Sequence, residues 1–143
     1  MVTIDPVTSE LDESTSETSG LDASTYELDP YQAGCPTRRV LDRIGDRWTV
    51  LVVGTLDDGP RRFSEIRRVV DGISQKMLTQ TLRGLERDGL VSRTVYAEVP
   101  PRVEYELTEA GQTLRAPLKA LERWSIEHFG AVSDSQREYD SRD

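Results

Sequence analysis

The sequence predicts a mainly α-helical chain with one small β-hairpin, an α+β arrangement. Three observations predict it. Apolar residues recur at helical spacing from Val40 to Phe129, interrupted once, before Leu107, where the period falls to two. Ser74, Thr108 and Gly89 stand where helix caps are wanted. Residues 1–33 show neither period. They are rich in Ser, Thr, Asp and Glu with scattered single apolar residues. Such a stretch buries too little surface to offset its ordering entropy, so 1–33 is expected to be a disordered acidic tail. The folded domain is expected over 34–131, with 132–143 a second, flexible acidic tail.

Within the domain, "CPTRRVLDRIG" reads as a short helix, with Thr37 a candidate cap and Val40, Leu41 and Ile44 on one side. "DRWTVLVVGTLDDGP" reads as a strongly apolar helix stopped by Gly59-Pro60. "RRFSEIRRVVDG" gives about two turns, with Ser64 as N-cap and an end at Gly72. Ser74 caps the next helix, and Gly89 sits where a left-handed residue closes it. Val103, Tyr105 and Leu107 then alternate with Glu104 and Glu106, a half-buried strand whose partner is Leu90 to Tyr96. The prolines of "AEVPPR" place that segment at the hairpin tip. Thr108 caps a final helix, in which Pro117 marks a kink or a fresh start. Three helices followed by a two-stranded wing make a winged helix-turn-helix.

The chain of 143 residues has a formal charge of −8, but the charge is partitioned. Residues 1–34 hold eight acids and no Lys or Arg, whereas 35–131 carry a net +2. The acidity is mostly in the tail, and the centre is mildly basic. Two lysines stand against sixteen arginines. Few lysines and many carboxylates fit a salt-adapted, halophilic cytoplasm. A GC-rich genome, which favours Arg codons, explains the same ratio.

The helix after Ser74 is fully segregated. Met77, Leu78, Thr81, Leu82 and Leu85 share one arc; Gln75, Lys76, Thr79, Gln80, Arg83, Glu86 and Arg87 share the other. Amides, hydroxyls and cations suit a DNA major groove: Gln pairs with adenine, Arg and Lys with guanine, and a Thr methyl with thymine. Ser64, Ser74, Gln75, Lys76, Thr79, Gln80 and Arg83 are therefore candidate DNA contacts. Arg61 and Arg62 are candidates for backbone phosphate or a plain solvated pair, and Arg102 for phosphate, the minor groove or a surface turn.

"CPTRRVLDRIGDRWTVLVVGTL", "GPRRFSEIRR", "GISQKMLTQTLRGLERDGLVSRTVY" and "EVPPRVEYELTEAG" resemble the HxlR-type winged-helix transcription regulators, over roughly residues 35–130. The resemblance implies a homodimer built on the first and last helices and bound to pseudo-palindromic double-stranded DNA. Val40, Leu41, Leu114, Leu118, Leu121, Trp124 and Phe129 are the candidate interface. The last five of these offer more apolar surface than a small winged domain needs, unless the helix folds back on its own core. Some members of the family sense oxidants or electrophiles through a cysteine near the first helix, and Cys35 stands at the matching place. A thiol beside Arg38 and Arg39 at a helix N-terminus has a depressed pKa; the alternative is a small buried hydrophobe.

Other classes are excluded or disfavoured. No apolar run reaches roughly eighteen residues, so no membrane span is expected. The N-terminus lacks the basic and apolar regions of a signal peptide, which leaves the cytoplasm. One cysteine and one histidine, His128, make a disulfide framework or metal site improbable, and no cofactor is expected. No nucleophile–base constellation points to an enzyme, and no residue pattern names a small-molecule effector. The competing reading is a winged helix used as a protein-interaction module without DNA.

Overall fold

The computed structural model describes residues 28–142. Six helices and a three-stranded sheet are formed among them: α1 (Thr37–Ile44), α2 (Arg47–Thr55), β1 (Arg61–Arg62), α3 (Phe63–Val69), α4 (Gln75–Arg87), β2 (Val91–Tyr96), β3 (Arg102–Leu107), α5 (Glu109–Thr113) and α6 (Arg115–Asp140). The helices, sheet and wing are those of a winged helix-turn-helix. The chain divides into two units, the first ending at Asp42 and the second beginning at Arg43.

Most of the tail expected over 1–33 lies outside the described residues. Its last part, however, forms hydrogen-bonded turns. Gln32 N–H donates to the Asp29 carbonyl at 3.0 Å and Cys35 N–H to the Gln32 carbonyl at 3.0 Å. Arg38 closes the turn from the helix side, Nε donating to the Pro30 carbonyl at 2.8 Å and Nη2 to that of Tyr31 at 3.2 Å. Thr37 is the first helical residue instead of the cap, and its hydroxyl turns back to Cys35 Sγ at 3.0 Å.

In the second unit α2 is the central helix. Asp46 caps it by accepting from Trp48 N–H at 2.8 Å, and Thr49, Val52 and Val53 are buried. Around it pack Ile66 of α3, Leu78, Leu82 and Leu85 of α4, Val91 and Leu107 of the sheet, and Leu118 of α6. The helix ends at Thr55, short of Gly59-Pro60. Thr55 hands its carbonyl to Arg61 Nε at 2.6 Å, and a turn through Gly59 follows. α3 begins two residues earlier than expected, with Arg62 as N-cap and Ser64 inside the first turn. The Glu65 carboxylate accepts the Arg62 N–H at 2.9 Å; a guanidinium has no acceptor with which to complete a capping box.

The sheet has the order β1-β3-β2, all antiparallel. Val91 pairs with Leu107 and Tyr96 with Arg102, while Arg61 and Arg62 pair with Tyr105 and Glu104. A two-residue strand is too short to show a period, which is why β1 is not legible in the sequence. The expected final helix is divided: α5 closes at Leu114, and Pro117 lies in the first turn of α6, where its missing N–H costs no hydrogen bond. α6 then runs to Asp140, so 132–140, expected as a flexible tail, is helical. Gln136, Arg137 and Glu138 are good helix formers, and Arg137 pairs with Asp134 one turn back.

Candidate nucleic-acid interface

The turn before α4 aims that helix. Ser74 Oγ accepts the Met77 N–H at 3.0 Å, which fixes the N-terminus, and Gly72 takes the positive φ of 91° that the preceding turn requires. Arg67 of α3 reaches across the turn to the Ile73 carbonyl at 3.4 Å. Ile73 itself is buried and anchors the turn to the core. At the other end Gly89 has φ 77°, and its N–H returns to the Glu86 carbonyl at 3.0 Å.

Between these ends the two arcs separate as their composition dictates. Leu78, Thr81, Leu82 and Leu85 are buried, with Met77 half-buried. Gln75, Lys76, Gln80, Arg83, Glu86 and Arg87 are exposed, and Thr79 is half-exposed. Among the described residues, Lys76, Arg83 and Arg87 make no ion pair. The face presents cations and amides, with Glu86 as its one acid, and no ion pair among the described residues neutralises the cations.

The other candidate contacts are partly committed inside the fold. Arg61 is half-buried and serves the last carbonyl of α2. Arg62 is exposed opposite Glu104, and Ser64 is exposed within α3. Arg102 is not a free cation at the hairpin tip. Its guanidinium lies over the Tyr96 ring at 4.1 Å, with Glu98 at 3.1 Å and Glu104 at 3.4 Å. Those partners are carried by the hairpin itself, so Arg102 staples the wing.

The candidate interface residues also divide. Leu118 is buried and Leu114 half-buried, both against the domain's own core. Leu118 is therefore a core residue and not a free interface side chain. The same helical stripe continues beyond the core with Leu121, Phe129 and Val132 exposed, and Trp124, 54% exposed, stacks on His128 at 4.5 Å. Val40 and Leu41 of α1 are exposed as well.

Cys35 is half-buried ahead of α1. The Thr37 hydroxyl and then the Thr37 backbone N–H hold its thiol below the ordinary range, against smaller opposing effects of desolvation and the Asp29 charge, while a backbone hydrogen bond at Asp29 adds to the lowering. The direction is that expected, but the cause is not: Arg38 is turned towards Pro30 and Tyr31.

Sequence reasoning missed two residues that shape this face. Arg43, from α1, lies against Gly84 and Asp88 of α4. Tyr96 lies beneath Arg102. Both depend on pairings that join separated positions, and only Gly84, a glycine inside a helical pattern, leaves a trace in the sequence.

The model of the HxlR-like helix-turn-helix family matches residues 43–133. The HTH-type transcriptional regulator YybR of Bacillus subtilis is 42% identical over 117 residues, covering 76% of this chain and 94% of that protein. An HTH-type transcriptional regulator of Methanothermobacter thermautotrophicus is 52% identical over 90 residues, 63% of this chain and 69% of that one. Among solved structures, a protein described as the transcriptional regulator YtfH of Salmonella typhimurium superposes with a TM-score of 0.72 at 42% identity, covering 78% of this chain and 99% of its own. The redox regulator HypR in its oxidised form gives a TM-score of 0.61 at 45% identity, covering 65% and 96% respectively.

Proposed function

The chain belongs to the HxlR-like helix-turn-helix family of transcriptional regulators, and from that premise we propose that it binds a pseudo-palindromic operator in double-stranded DNA as a homodimer. The exposed arc of α4, with its unpaired cations, carries this reading. α4 enters the major groove N-terminus first, so that Gln75, Lys76, Thr79, Gln80 and Arg83 meet base edges and phosphates. The hairpin follows the adjacent backbone. Arg102 is better suited to stiffening it than to entering a minor groove, because withdrawal would leave Glu98 and Glu104 unpaired beside phosphates. The decisive test is retardation of chromosomal fragments at low salt; a chain that shifts no DNA there does not have this function.

The dimer reading rests on the part of α6 that leaves the core. Leu121, Trp124 and Phe129 are the surface proposed to pair with a second copy, and the exposed Val40 and Leu41 of α1 are proposed to contribute in their own right. Leu121→Asp with Phe129→Asp is expected to halve the mass measured by sedimentation. It is also expected to weaken operator binding at least about tenfold, since a half-site then acts alone. An unaltered mass would remove α6 from the interface.

Cys35 is proposed to make the regulator responsive to oxidant or electrophile, as the redox regulator among its structural relatives suggests. A lowered thiol pKa enlarges the thiolate fraction near neutral pH, and thiolate is the reactive form. The alkylation rate of Cys35 is expected to rise with pH through a midpoint below that of a free cysteine. Thr37→Val withdraws the hydroxyl that lowers it, and is expected to move that midpoint upward. An unmoved midpoint would show that Thr37 does not tune the thiol.

A further inference from the structure

We propose that Arg43 is a positioning residue for the proposed DNA-reading helix, and that Gly84 is glycine because Arg43 lies there. The inference rests on the reading of α4 as that helix. Arg43 belongs to α1, Gly84 and Asp88 to the C-terminal end of α4. Arg43 Nε donates to Asp88 Oδ2 at 2.7 Å, with the two side chains 30% and 31% exposed. The guanidinium lies against Gly84: a Cβ added there would fall on Nη1 and Cζ and come within 2.6 Å of Nη2. Gly84 is buried although it sits at the margin of the apolar arc, so the surface covering it includes Arg43.

Each partner is otherwise a poor choice. A glycine inside a helix weakens it relative to alanine. An acid such as Asp88 at a helix C-terminus opposes the dipole, and the Arg43 charge offsets both the acid and the exposed carbonyls. Arginine suits the place because its planar head packs on bare backbone while its Nε–H reaches the carboxylate, which the point charge of lysine does not reproduce. The three residues form an interlock that sets how the C-terminal end of α4 is held. A helix reading base edges needs such support, since a small misplacement loses base contacts before phosphate contacts.

The test uses the full chain, a duplex selected by the unaltered protein from a random pool, and an unselected random duplex. Arg43→Ala is expected to lower the ratio of selected to random affinity about fivefold, the scale of a half-exposed ion pair. The salt dependence on the random duplex is expected to stay unchanged, because Arg43 touches no phosphate in this arrangement. A salt slope smaller by about one would instead make Arg43 a phosphate contact, and an unchanged ratio would leave it without a positioning role; either overturns the proposal. If the unaltered chain selects no duplex, the DNA-binding reading fails, and this proposal with it. Melting of Gly84→Ala alone and combined with Arg43→Ala tests the interlock without DNA. Gly84→Ala is expected to raise the melting temperature less when Arg43 is present, because the guanidinium must move aside, than when Arg43 is absent. An equal change in both backgrounds would show that Arg43 does not occupy the space above Gly84.

Discussion

Lys76→Glu combined with Arg83→Glu is expected to abolish retardation of a DNA fragment that the unaltered chain shifts at low salt. Both side chains are exposed on α4, and among the described residues neither has an ion-pair partner. Reversal removes two favourable contacts and installs two anions against the backbone. With each base or phosphate contact worth about 1–3 kcal/mol, the loss is on the order of a thousandfold. Stability is expected to change by no more than about 0.5 kcal/mol, because no packed or paired group is touched. Melting and binding measured together separate a lost interface from a lost fold. A variant that binds within about tenfold of the unaltered chain would favour a protein partner for this face. Arg61 and Arg102 have commitments inside the fold, so the phosphate contacts must come mainly from α4 and from other exposed arginines. If six such contacts form, the logarithm of affinity falls with a slope of about −5 against the logarithm of salt concentration.

The second large effect concerns Gly111. A Cβ there would land on the Leu90 carbonyl oxygen, approach the Leu90 carbonyl carbon at 3.0 Å and come within 3.2 Å of Leu107 Cδ2. That oxygen is held, since it accepts the Thr108 N–H at 3.1 Å, while the Leu90 N–H is tied to the Leu85 carbonyl at 2.9 Å. Thr108 Oγ1 donates to the Gly89 carbonyl at 2.6 Å and accepts the Gly111 N–H at 3.1 Å. The end of α4, the start of β2 and the start of α5 thus meet around one methylene. Gly111→Ala must push them apart, at a cost of about 3 kcal/mol, or roughly 15 °C in melting temperature. Circular dichroism melting checks it. A fall under a few degrees would mean that the junction opens easily and that the wing is loosely attached.

The legible parts of this molecule were those written in a local period. The segregation of α4, its Ser74 cap, the left-handed Gly89 and the alternation of β3 all follow from neighbours within a few residues. The illegible parts are long-range pairings. β1 exists because Arg61 and Arg62 meet β3, more than forty residues on. Leu118 looked like its neighbours on the α6 stripe, yet only the meeting with α2 makes it core. Thr37 is a cap by residue type alone, but its hydroxyl faces Cys35. The candidate site shows the same division: the α4 arc stands as the sequence implies, whereas Arg61 and Arg102 are drawn into contacts that charge alone did not foretell.

The continuity of α6 has a consequence for how such regulators diverge. Its buried anchor, Leu118, and its exposed stripe lie on one unbroken helix of 26 residues. Each residue added or removed between them turns the stripe by about 100° and shifts it by about 1.5 Å. One inserted residue points the stripe away from the proposed partner copy; four restore its phase to within about 40° and lengthen the arm by about 6 Å. Viable length changes here come in quanta of whole turns. If the arm spaces two reading helices, descendants of this chain can change the gap between half-sites only in steps, never by gradual drift.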